Sequence, residues 1–139
     1  MGPSALRIAG ITKTIESLGH TVREIGTVTA GGFETTDQGE TKTRFLEEII
    51  EVALRVGMMV NNGMDDGCFP LVLGGDHSLS IGSVGAVARH FRERGESIGL
   101  IWVDAHADMN SPETTPSGNV HGMSLAVLLG HGHAWLVEL

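Results

Sequence analysis

Asp104, His106 and Asp108 occupy alternate positions directly after the apolar run Ile98-Gly99-Leu100-Ile101-Trp102-Val103. In extended backbone, residues i, i+2 and i+4 point to the same side, so the three project together, with Ala105 and Ala107 between them. One imidazole and two carboxylates make a mixed nitrogen and oxygen donor set. Such a set suits manganese, zinc or iron rather than calcium or a thiolate-bound metal. Two carboxylates crowded at one strand end repel each other, and a divalent cation removes that conflict. A second run, Gly74-Gly75-Asp76-His77-Ser78, follows the apolar Phe69-Pro70-Leu71-Val72-Leu73 and adds His77. Capping or loop-closing carboxylates would be the plain structural alternative. That alternative does not explain why a histidine accompanies the aspartates at both strand ends.

These residues need a scaffold, and the apolar periodicity supplies one. Both runs that precede the polar clusters read as buried strands, apolar on both faces. Thr21 to Gly26 reads as a further short strand, and residues 27–40 as a loop without period. Ser4 reads as the N-cap of a helix carrying Leu6, Ile8, Ile11, Ile15 and Leu18, closed by Gly19. A long helix is predicted from about Lys42 to Asn61, with Leu46, Ile49, Ile50, Ala53, Val56 and Val60 on one face. Another is predicted from Ser80 to about Arg94, with Ile81, Val84, Val87, Ala88 and Phe91 facing in. Residues 112–119 read as a loop and 120–129 as a helix. Strands alternating with helices predict an α/β fold, a three-layer α-β-α arrangement around a mainly parallel sheet. In such sheets ligands bind beyond the carboxyl ends of the strands, where both polar clusters lie.

The composition narrows the function. The chain has 139 residues, 41% apolar and 19% charged, which is globular and enough for one core. A formal net charge of −8 argues against nucleic acid or an anionic membrane surface. It would suit a cationic substrate, although solubility alone accounts for it. No apolar run reaches the roughly 18 residues of a membrane helix, and the first residues do not read as a signal peptide. Cys68 is the single cysteine, which favours a reducing, cytoplasmic setting. His20 and His90 read as solvated, and His131 and His133 as loop residues. Asp76 reads as orienting its neighbours, and Cys68 as inert.

The two polar clusters resemble the first two metal motifs of the ureohydrolase family, which contains arginase, agmatinase and their relatives. Within it the chain is most similar to the arginase branch. Ser117-Gly118-Asn119-Val120-His121-Gly122 resembles the branch's substrate loop, Asp108-Met109-Asn110 the segment leading into it, and Gly2 to Arg7 its opening segment. The resemblance implies a two-manganese site hydrolysing the guanidinium of L-arginine to L-ornithine and urea. It implies His77, Asp104, His106 and Asp108 as metal ligands, with Asp104 bridging. It further implies Asn110, Ser117 and Asn119 at the amino-acid end of the substrate, beside His106. His121 would shuttle a proton, with Asp108 the other catalytic group. Agmatinase chemistry is the alternative within the family, and a non-catalytic metal-binding fragment the alternative outside it.

The chain also departs from the family pattern. A third metal motif with two further aspartates, and a later glutamate near the guanidinium, have no counterpart up to Leu139. The first strand of the pattern has none before Gly2. The expectation is therefore a single partial domain over 1–139, with four of six metal ligands and an incomplete sheet. An unpaired sheet edge invites association, so a homo-oligomer is also expected.

Overall fold

A computed structural model of the chain describes residues 2–32 and 34–139; Phe33, inside the expected loop 27–40, lies outside them. The elements in order are α1 (Gly2–Ile8), α2 (Ile11–Ser17), α3 (Leu46–Asp65), α4 (Leu79–Arg92), a 3-10 turn (Val120–Met123), α5 (Ser124–Leu128) and α6 (Ala134–Val137).

The two long helices form the most extensively packed pair. Their crossing is close because small residues line it. Ala53 on α3 and Ala86 on α4 are buried, as is Gly82. A Cβ on Gly57 would already stand 3.3 Å from the Gly82 carbonyl oxygen. The core continues from Ile81 to Val120, Met123, Val127 and Leu136, with Leu46, Ile49, Ile50 and Leu139 packed on it. The apolar face expected for α3 is therefore the face that meets the core. On α4 only Ile81 of the expected inward residues is fully buried; Val84, Val87, Ala88 and Phe91 are half-buried.

Several helix boundaries differ from expectation: Ser4 lies inside α1 instead of capping it, the helix expected over 120–129 opens as a 3-10 turn, and three others differ for a local reason. The N-terminal helix is broken at Gly10, whose φ of 87° ends α1 and starts α2. The long helix starts at Leu46 instead of Lys42. Residues 42–45 are drawn into other contacts, where Arg44 N–H donates to the Gly118 carbonyl at 2.9 Å and Phe45 N–H to that of Gln38 at 2.8 Å. The same helix runs past Asn61 and Gly63 and stops at Asp66-Gly67, where the Gly67 N–H reaches the Met64 carbonyl.

The expected parallel sheet is not formed as ladders here. Among the described residues there is no strand ladder, only one parallel bridge, between Arg44 and Asn119. Residues 21–26, 69–73 and 98–103 run without helix or ladder. Two of these segments are not buried on both faces: Phe69 is 93% exposed, Ile101 89% and Val103 92%. Strand formation needs a neighbouring backbone at ladder spacing, and none of these segments meets one. The two that precede the polar clusters come together at their carboxyl ends. There they border an open cleft of about 300 Å³, lined on one side by Val72 and Gly74 and on the other by Ile101 and Val103.

Candidate metal centre

His77 sits in the turn that feeds α4. The Asp76 carboxylate closes that turn by accepting from the Ser78 N–H at 2.9 Å and from the Ser78 hydroxyl. The His77 carbonyl then accepts from the N–H and hydroxyl of Ser80. Asp76 thus orients its neighbours, as expected, and His77 is tied to the first turn of a long helix.

Asp104 and Asp108 come from the other segment. Asp104 Oδ1 accepts the His106 N–H at 2.8 Å, so the chain turns immediately after the extended run. Asp108 is buried and has φ of 50°. That is the left-handed region, which aspartate tolerates better than most residues. Its carbonyl accepts the N–H groups of Leu125 and Ala126, both at 3.1 Å. The ligand-bearing turn is thereby fastened to α5.

The two turns converge. His77 Nδ1 lies 2.6 Å from Asp104 Oδ2 and 2.8 Å from Asp108 Oδ2. One ligand atom from each of the three residues falls within 4.8 Å of the others. The contact with Asp108 is a hydrogen bond. The imidazole Nδ1 faces both carboxylates, and the one hydrogen bond it makes is with Asp108. Asp104 Oδ2, though close, is buried with no hydrogen bond.

The electrostatics follow from this packing. The Asp108 hydrogen bond, with the charges of Asp104, Asp108 and Asp76, holds the His77 imidazolium above its ordinary range against partial desolvation. The His106 backbone N–H, followed in effect by His77, holds the Asp104 carboxyl below the ordinary carboxylate range. Asp104 Oδ2 has only the His77 ring, shared with Asp108, as its partner. A divalent cation among these three atoms would satisfy it and displace the His77 proton. The donor set, one nitrogen and two carboxylates, fits a metal of the manganese, zinc or iron class.

His106 stands apart from the other three. Its side chain is 82% exposed, with Nδ1 3.4 Å from Asp104 Oδ1. The turn after Asp104 breaks the two-residue alternation, so His106 swings outward while Asp104 and Asp108 meet.

The remaining candidate residues lie on one tied loop. The Asn110 N–H donates to the Gly122 carbonyl at 3.1 Å, and Asn110 Oδ1 accepts from the Thr114 hydroxyl. Ser117 Oγ accepts the Asn119 N–H at 3.2 Å. Lys42 Nζ holds the Thr115 carbonyl at 2.9 Å. His121 is exposed, and its carbonyl accepts the hydroxyl of the fully buried Ser124. Asp108 begins this loop and is also anchored to the helix that ends it.

One neighbour of the cluster was not singled out by the spacing argument. Trp102 packs edge-to-face with His77, ring centroids 5.9 Å apart and planes at 89°. The signal was present: Trp102 is two residues before Asp104 and shares its side of the extended chain.

Comparison with known proteins gives the family. The arginase family profile matches residues 1–136. An arginase of Bacillus caldovelox is 43% identical over the whole chain, which corresponds to 46% of that protein. The crystal structure of an arginase from Bacillus cereus superposes with a TM-score of 0.89 at 45% identity, covering all of this chain and 44% of that one. An Entamoeba histolytica arginase solved in complex with L-ornithine superposes at 0.86 with 32% identity, covering 99% of this chain and 46% of that one. The chain spans less than half the length of these relatives. The family profile, the relatives' identity and the superposition agree, and the chain belongs to the arginase family.

Proposed function

We propose that this chain carries part of the metal site and the substrate loop of a manganese-dependent hydrolase that converts L-arginine to L-ornithine and urea. One observation carries the reading: His77, Asp104 and Asp108 converge from two separate segments, with one donor atom of each within 4.8 Å of the others. The L-ornithine complex of the Entamoeba relative supports an amino acid of that size as ligand. So does the net charge of −8, which favours a cationic guanidinium.

His77, Asp104 and Asp108 would hold manganese, with His106 a further donor one short turn away. Manganese, when bound, supplies acidification of water at neutral pH, which a delocalised guanidinium carbon needs because it is a poor electrophile. The chain's own residues do the rest. The Ser117 hydroxyl receives the Asn119 N–H and keeps its own proton for a substrate α-carboxylate. Asn110 has its carbonyl occupied by Thr114, which leaves its amide N–H groups for the same carboxylate. His121 is open to solvent, where an imidazole can deliver a proton to the departing amine. The free Cys68 and the absence, among the described residues, of a helix long and apolar enough to cross a membrane are compatible with a cytoplasmic setting.

A second reading rests on the outward turn of His106, which leaves three converging donors: a metal-binding chain without turnover. Urea release by the folded chain decides between them. Urea should rise with added manganese, be higher with arginine than with agmatine, and vanish in His106→Ala. Preference for agmatine would move the assignment to the agmatinase branch. Manganese binding without urea would refute turnover by this chain and leave the second reading.

A further inference from the structure

We propose that Trp102 is a positioning residue for His77, holding the imidazole in its metal-ready orientation; this rests on the reading of the cluster as a metal site. The His77 side chain is 53% exposed, so the surrounding protein constrains it little on that side. In the metal-free chain the ring is fixed by its Nδ1 proton, given to Asp108 at 2.8 Å. A metal among these donors takes the lone pair in place of the proton, and that hydrogen bond is lost. The contact with Trp102 involves a ring edge and a ring face, 5.9 Å between centroids at 89°. It needs no proton on Nδ1 and survives the exchange. Centroid separation and angle both lie in the favourable edge-to-face range for aromatic pairs.

The placement of the indole supports the same role. In residues 101–104, Ile101 and Val103 are almost bare, whereas Trp102 and Asp104 are turned inward toward His77. One side of the extended segment therefore delivers both the carboxylate and the aromatic wall. The indole Nε1 is buried and has no hydrogen-bond partner, so packing and not a polar anchor sets the ring's position. Phenylalanine would keep an aromatic face there and drop the unpaired N–H.

The test uses the 139-residue chain with Trp102→Phe, Trp102→Leu and, as a site control, His77→Ala. Free manganese(II) is followed by electron paramagnetic resonance, folding by circular dichroism, and the His77 ring protons by NMR in the metal-free state. Trp102→Leu should weaken manganese binding roughly tenfold with the fold unchanged, while Trp102→Phe stays within about twofold of wild type. The His77 ring-proton shifts should be displaced by the neighbouring ring in wild type and Trp102→Phe, and return to free-imidazole values in Trp102→Leu. Wild-type affinity in a folded Trp102→Leu, or equal losses in both variants, would overturn the proposal. Should Trp102→Leu fail to fold, Trp102→Phe decides: retained affinity with displaced His77 shifts supports the role, and loss of either overturns it. If wild-type protein binds no manganese, the metal reading fails by itself, and the ring-proton shifts alone decide whether Trp102 holds His77.

Discussion

Replacing Gly82 with alanine should loosen the α3–α4 pair, because the added methyl group meets backbone. A Cβ at this position would stand 2.2 Å from the Ala53 carbonyl oxygen, 2.7 Å from its Cα and 2.8 Å from its carbonyl carbon. Ordinary carbon contacts lie at about 3.5–4.0 Å, so the helices must separate by roughly 1 Å or more. No side-chain rotation relieves a collision with backbone. Ala53 and Ile81 are each 2% exposed, so the separation unpacks the tightest part of the crossing. Overpacking a core costs about 1–3 kcal/mol, and the depth of this collision points to the upper end. Glycine to alanine within a helix gives back about 1 kcal/mol. The net loss is then about 2 kcal/mol, or roughly 4–8 °C in Tm for a chain of this size. Gly85, on the same helix, is the internal control, since nothing lies within 4 Å of a Cβ built there. Gly85→Ala should stabilise by about 0.5–1 kcal/mol. Thermal and urea melts followed by circular dichroism measure both. Gly82→Ala at or above wild-type stability would refute the close-crossing argument, and an equal loss in Gly85→Ala would move the cost away from Ala53. Because α4 starts two residues after His77, the separated helices should also weaken manganese binding by Gly82→Ala.

Three further outcomes follow from the site and its loop. Gly118 has φ of 76°, and a Cβ there would lie 1.8 Å from the Thr41 carbonyl oxygen. Gly118→Ala should therefore cost about 3 kcal/mol or more from left-handed strain and collision together, read as a lowered urea midpoint; an unchanged midpoint would mean the loop is not tied to residues 41–44. His77 holds its proton above the ordinary imidazole range, and that proton must leave before the ring can ligate. Manganese uptake should thus rise with pH through and beyond that range. The sign reverses for the metal-free chain: a raised folded pKa contributes stability below the unfolded imidazole pKa and loses it as pH climbs through the raised value. Chelator-treated melts across this interval should show stability falling with pH from this source, and uptake that falls as pH rises would exclude His77 as a ligand.

What could be read from the sequence divides along the range of the forces involved. The apolar face of α3 was legible because its period is local: Leu46, Ile49 and Ile50 need only helical geometry to share a side, and they meet the core. The sheet was not, because apolar runs such as 98–103 show that a segment can be buried but not that a neighbour is there to pair with it. Ile101 and Val103 consequently remain exposed. The site falls between these cases. Two-residue alternation joins Trp102 to Asp104 correctly, since the chain is still extended there. It fails for His106, since the Asp104 carboxylate captures the His106 N–H and turns the chain. It brings Asp108 back toward Asp104 for a different reason, the left-handed backbone at Asp108 held by two N–H groups of α5. No local pattern announces that conformation, because its stabilising donors, Leu125 and Ala126, come from 17 and 18 residues further along. The same long-range bonds make Asp108 shared property of the metal cluster and the loop bearing Asn110, Ser117 and Asn119. Moving that loop therefore moves a carboxylate of the proposed metal site, and any contact that orders residues 110–119 should also tighten manganese binding.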